Sequence, residues 1–136
     1  MDNMSMIVRC CRTFAERKLK EFDLTFGEQV IIMFLSANNN VSQDTISKRY
    51  MIDKGMIAKS LTKLEHKGII IRAQNSQNKR ENIISLTQEG RDLINIMNDV
   101  YKEWNDIVYE GMSKEDIDYV KKLTGKMVVN VAKYLD

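Results

Sequence analysis

The chain has 136 residues, 43% of them hydrophobic and 29% charged, a length that suits one folded unit whose core needs neither disulfides nor metal. No apolar run approaches the roughly 20 residues of a membrane span, and MDNMSMIVRCCRTF lacks the apolar stretch of about 7–15 residues of a secretory signal, so a cytoplasmic protein with no membrane contact is expected. The net charge of +2 is unevenly spread: Lys48 to Arg80 holds nine Lys and Arg against Asp53 and Glu65, a balance of +7 that leaves −5 for the remainder.

Such a basic middle attracts phosphates irrespective of sequence, although a solvated charged face has the same balance. The pattern along the chain decides between them. From about Met4 to Phe22, Ile7, Cys11, Phe14, Ala15, Leu19 and Phe22 recur at spacings of three and four, which predicts an amphipathic helix. Cys10 and Cys11 are sequence neighbours and cannot bridge each other without strain, so they are read as reduced thiols.

A second helix opens at Thr25 and Glu28, spaced as a capping box, and should stop near Asn38, where three successive asparagines favour turns. Ser42 then caps a short helix, SQDTISKRY, and a break follows around Met51 and Ile52. Asp53 caps the next helix, KGMIAKSLTKLEHKG, which turns Ile57, Leu61 and Leu64 inward and ends at Gly68. Two short helices joined by a tight turn make a helix-turn-helix. GIIIRA, the polar tip QNSQNK and ENIISL then read as a β-hairpin, in the position of a wing.

Thr87 begins a long helix whose Ile94, Met97, Tyr101, Trp104 and Val108 form a packing seam against another part of the fold or a partner subunit. Gly111 ends it. Ser113 and Asp116 make a further capping box before a final helix carrying Ile117, Val120, Leu123, Met127 and Val131.

Leu24, Thr25 and Gln29, the run DKGMIAKSLTKLEHKGII, the closing SLTQEGRDL and the C-terminal MSKEDIDYVKKLTGKMVVNV together resemble the MarR family, the multiple antibiotic resistance regulators. The resemblance implies a mainly α winged helix-turn-helix fold with a small β-hairpin wing. It implies one domain over 1–136, with a DNA-binding lobe at about 25–90 and dimerisation helices at about 4–22 and 87–135. The implied protein is a homodimer on a pseudo-palindromic double-stranded DNA operator, a repressor released by a small aromatic ligand or an oxidant.

A recognition helix enters the major groove with a lean leading face and sends its N-terminal residues to base edges. Gly55, Met56, Ala58 and Thr62 are therefore expected near bases, and Lys54, Lys59 and Lys63 at phosphates. Ser42 and Thr45 are expected to offer hydroxyls to the DNA backbone at the start of the preceding helix. Lys79 and Arg80 stand where the family carries a basic pair for the minor groove or its phosphates. Asn78 precedes them where the family commonly has an acidic residue that orients the arginine, which predicts a less fixed wing.

Cys10 and Cys11 resemble the reactive thiols of the hydroperoxide-sensing branch; core packing is the competing reading, above all for Cys11. Arg9, Phe14, Met33 and Trp104 are candidates for a ligand pocket, with ordinary core packing again the competitor. No cofactor is expected. An enzyme is not expected either: His66, the sole histidine, has no cysteine cluster, phosphate loop or nucleophile elbow near it in sequence. The alternative from another class is a winged-helix protein-docking module without sequence-specific DNA binding.

Overall fold

The computed structural model describes residues 2–50 and 52–135. In chain order it has α1 (Asn3–Lys18), a 3₁₀ turn (Lys20–Phe22), α2 (Phe26–Ala37), β1 (Val41–Ser42), α3 (Gln43–Tyr50), α4 (Lys54–His66), β2 (Ile70–Gln74), β3 (Asn82–Leu86), α5 (Gln88–Val108) and α6 (Lys114–Leu135). The chain divides into two compact units, Met1–Tyr101 and Lys102–Asp136.

The helix boundaries follow the caps. Asp2 accepts the Ser5 N–H at 3.0 Å, and in the Thr25/Glu28 box Glu28 N–H donates to Thr25 Oγ1 at 3.3 Å while Thr25 N–H donates to Glu28 Oε2 at 3.1 Å. α2 ends at Ala37, beside the asparagine run, and Asn40 takes a positive φ. Asp53 Oδ1 accepts from the N–H groups of Gly55 and Met56 and so starts α4. At the other end of α4, Gly68 has φ +70° and donates its N–H to Glu65 O, while Ile69 N–H reaches back to Leu64 O. These are the paired bonds of a Schellman stop, which glycine enters without the steric cost of a Cβ.

Two elements differ in detail from the sequence expectation. The first helix ends at Lys18 rather than near Phe22, because the chain tightens into the 3₁₀ turn and Asp23 turns left-handed. Lys67 Nζ, from the end of α4, holds the freed carbonyls of Phe22 and Asp23, a tertiary contact that local periodicity does not carry. The hairpin also gains a third strand. β1 pairs antiparallel with β3, giving the sheet order β1-β3-β2, with Val41 opposite Ile84 and Arg72 opposite Ile84 on the other side. A two-residue strand is too short to show alternation. Met51, where the break between α3 and α4 was expected, lies outside the described residues; Ile52 N–H donates to Ser47 O at 3.2 Å.

The core of the first unit gathers Leu19, Ile31, Ile32, Leu35, Ile46, Ile57, Leu61, Leu64, Ile70, Ile84 and Met97. α2 is pinned to α5 through buried Gln29, whose Nε2 donates to Leu24 O at 3.2 Å and whose Oε1 accepts from Tyr101 Oη at 3.1 Å. In the second unit, Ser113 and Asp116 cap α6 reciprocally. Among the described residues, no helix is long and apolar enough to cross a membrane.

Candidate nucleic-acid interface

α4 is oriented by its apolar stripe. Ile57, Leu61 and Leu64 are buried, so the opposite side presents Gly55, Met56, Lys59, Thr62 and Lys63 to solvent, with Ala58 half-buried. Met56 is 65% exposed, an unusual position for a thioether unless something covers it. A Cβ at Gly55 would lie 2.9 Å from Asp53 Oδ1, so the lean residue at this point also keeps the helix cap close.

The polar candidates differ in what already holds them. Ser42 is buried: its Oγ accepts the Thr45 N–H at 3.2 Å and lies 3.0 Å from Thr45 Oγ1, so it caps α3 instead of facing outward. Thr45 itself is exposed. Thr62 Oγ1 donates to Ala58 O at 2.9 Å and accepts from Arg72 Nη2 at 2.8 Å. Lys54 is paired with Asp44, which also holds Lys48 at 2.9 Å. Those two ammonium groups keep the Asp44 carboxyl below its ordinary range, with the Lys54 hydrogen bond the larger cause, and Lys54 is correspondingly raised. Lys63 Nζ sits 3.5 Å from Glu28 Oε1, whose side chain is 2% exposed. Among the described residues, no carboxylate is paired with Lys59, Lys79 or Arg80.

The wing tip is closed by its own side chains. Asn75 N–H donates to Glu81 O at 2.9 Å, Asn75 Nδ2 to Glu81 Oε2 at 3.2 Å, and Gln77 N–H to Asn75 Oδ1 at 2.9 Å. Asn78 Oδ1 accepts the backbone N–H of Arg80 at 3.2 Å. The amide thus holds the backbone that carries Arg80, in place of the charge with which the family's usual acidic residue would orient the guanidinium. Both Lys79 and Arg80 are exposed, and Arg80 with Asn78 and Glu81 faces Gln43, Asp44 and Lys54 across a polar cleft of about 420 Å³.

Sequence reasoning missed Asp44, Glu28 and Arg72 at this face. Asp44 and Lys48 are four apart on a helix, a readable signal. Arg72, which also lies 3.2 Å from Glu65 through its Nε, gave none, because its partners are on another element.

Arg9 and Phe14 line one side of an open cavity of about 450 Å³ along α1, with Met6, Cys10 and Thr13. Met33 does not line it and packs against the core from α2; Trp104 belongs to the second unit. Cys10 is exposed and Cys11 half-buried, with its thiol pKa pushed up by burial. His66 is exposed on α4.

The profile of the family described as Transcriptional regulator SarA/Rot matches residues 13–97. The HTH-type transcriptional regulator SarZ of Staphylococcus epidermidis is 32% identical over 91 residues, which span 64% of this chain and 62% of that protein, less than two thirds of its length. Among solved structures, a crystal structure of MarR superposes with a TM-score of 0.86 at 25% identity, over 96% of this chain and 95% of that one. A MarR-family regulator from Listeria monocytogenes complexed with 26mer DNA gives 0.90 at 21% identity, over 98% and 89%. Family and neighbours are transcriptional regulators, not enzymes. With six α-helices and a winged three-stranded sheet among its described residues, the chain belongs to the SarA/Rot family of transcriptional regulators and carries the MarR winged-helix fold.

Proposed function

We propose that this chain is a sequence-specific double-stranded DNA-binding regulator, cytoplasmic, that acts as a homodimer on a pseudo-palindromic operator and represses by excluding polymerase. The observation that carries this reading is the exposed side of α4, lean at Gly55 and Ala58, cationic at Lys59, and accompanied by a wing that bears Lys79 and Arg80. The same fold engages DNA in the Listeria monocytogenes protein. Two recognition helices of a dimer would enter successive major grooves about 34–36 Å apart.

Dimerisation is supported by apolar side chains left exposed on α1 (Met4, Met6, Ile7, Val8) and on α6 (Met127, Val128, Val129, Val131). Isolated chains rarely expose so many without a partner. Release by a small aromatic ligand or by an oxidant is the finer part of the reading. The cavity along α1 offers Arg9 and Phe14 to an aromatic anion, and exposed Cys10 in its wall offers a thiol to a peroxide.

Selection of bound sequences from a randomised duplex pool at near-physiological salt tests the reading. Enrichment of an inverted repeat is the expected result. A folded dimer that enriches nothing and binds duplex without salt dependence is instead a docking module.

A further inference from the structure

The +7 segment is less available to DNA than its composition suggests. Of its nine basic side chains, Lys48 and Lys54 are paired with Asp44, Lys63 with Glu28, Lys67 with Asp23 and Arg72 with Glu65. Of these four carboxylates, Asp44 is the one paired with two cations at once. One comes from its own helix, four residues on; the other is the first residue of α4, the helix that carries the exposed recognition side. Its carboxylate also stands in the wall of the cleft that Arg80 enters from the wing.

Sequence-independent binding to duplex DNA rests almost wholly on cations that neutralise phosphates and release counterions. A carboxylate that keeps two lysines must be displaced before either can do so, and it adds a repulsive charge beside the phosphate path. In a complex whose register is fixed by base contacts, the two lysines can stay on Asp44 at no loss. In a complex without base contacts they are needed. Building repulsion against the wrong partner is a general route to specificity.

Resting on the DNA-binding reading above, we propose that Asp44 is a specificity-determining residue: it withholds Lys48 and Lys54 from phosphates and so keeps sequence-independent duplex binding weak. Asp44→Asn removes the charge while keeping side-chain volume in the first turn of α3.

The experiment measures binding of the full chain to a random-sequence duplex and to the selected operator across a salt series. Asp44→Asn should bind the random duplex more tightly, with a log affinity against log salt slope steeper by about 0.9 for each lysine released. The affinity lost between 50 and 200 mM salt then grows by about 3-fold for one lysine and about 12-fold for two. Operator affinity should rise less, so the ratio of specific to random binding falls. Adding Lys48→Met and Lys54→Met to Asp44→Asn should erase the gain. Lys54, expected from sequence at phosphates, is on this proposal held by Asp44 instead, so the double lysine variant with Asp44 intact, which does not depend on Asp44→Asn folding, should keep the wild-type slope on random duplex.

An unchanged slope in folded Asp44→Asn overturns the proposal alone, as does a gain that survives loss of both lysines or a flattened slope in the double lysine variant. A wild-type protein that shows no salt-dependent duplex binding overturns the DNA-binding reading itself, and this proposal with it.

Discussion

The Arg72 guanidinium on β2 donates to Thr62 Oγ1 on α4 at 2.8 Å and so ties the wing strand to α4. Glu65, one turn further along α4, takes the Nε side of the same guanidinium. Thr62, expected from sequence to read bases, thus has its hydroxyl engaged by groups of the protein itself although the residue is exposed. Thr62→Val, which keeps the shape and removes the acceptor, should lower the stability of the fold by about 0.5–1.5 kcal/mol, the net worth of one ordinary hydrogen bond, without changing the preferred DNA sequence. A repeated selection with the variant checks this: a shifted consensus would restore Thr62 as a base reader, and an unchanged one assigns it to the strut.

A second consequence concerns the junction of wing and α5. A Cβ at Gly90 would lie 2.3 Å from Ile69 O, the carbonyl that also accepts the Thr87 N–H at 3.0 Å. The start of α5 therefore packs directly on the backbone that leaves α4. Gly90→Ala should destabilise the fold by about 1–3 kcal/mol, the usual cost of overpacking, read as a lower denaturant midpoint. Gly68→Ala has open space around its Cβ and carries only the left-handed backbone penalty of about 1–2 kcal/mol.

Much of this fold is legible in the residues because its signals are local. Thr25 with Glu28, Asp53, Gly68, and Ser113 with Asp116 each act within a turn of their own position, and the α4 stripe of Ile57, Leu61 and Leu64 needs only helical spacing. The overlooked features are made by partners far apart in the chain. Lys67 closes the turn after α1 from more than forty residues away, Arg72 reaches α4 from a strand, and β1 exists only because β3 is beside it. The interface divides along the same line: the exposed side of α4 follows from periodicity, whereas which of its cations are already paired follows from tertiary contacts.

Tyr101 links stability to pH. Its phenol is pushed up to about 12, chiefly by burial and secondarily by Cys11, and it donates to Gln29 Oε1. Below about pH 10, the ordinary tyrosine value, the phenol keeps its proton in both folded and unfolded chains and its contribution is complete. Between about 10 and 12 the unfolded chain releases the proton and the folded chain retains it, so stability falls as pH rises. Tyr101→Phe should be less stable at neutral pH, because a buried amide oxygen loses its donor. Urea midpoints of the two proteins should converge from pH 10 towards pH 12; a constant gap would place the phenol's ionisation elsewhere.

The two thiols should separate in alkylation. Cys10 is exposed, whereas Cys11 is half-buried and has its pKa raised by that burial, which lowers its thiolate fraction and its access together. At pH 8 with limiting iodoacetamide, peptide mass analysis should find the label on Cys10 first. Preferential labelling of Cys11 would contradict its placement towards the core.

Lys59 and Lys63 lie one turn apart on α4 and are equivalent by sequence, yet their surroundings are not. Lys63 faces Glu28, a carboxylate buried in the α2 cap, at 3.5 Å; no carboxylate among the described residues is paired with Lys59. A phosphate approaching Lys63 must compete with an acceptor already in place, while Lys59 has only water to give up. Lys59→Ala should therefore flatten the log affinity against log salt slope by about 0.9 per protomer, the signature of one lost phosphate contact. Lys63→Ala should change that slope by clearly less and should lower the stability of the fold, since it leaves Glu28 buried without its cation. Equal slope changes with unaltered stability would show that Lys63 leaves Glu28 whenever DNA is bound.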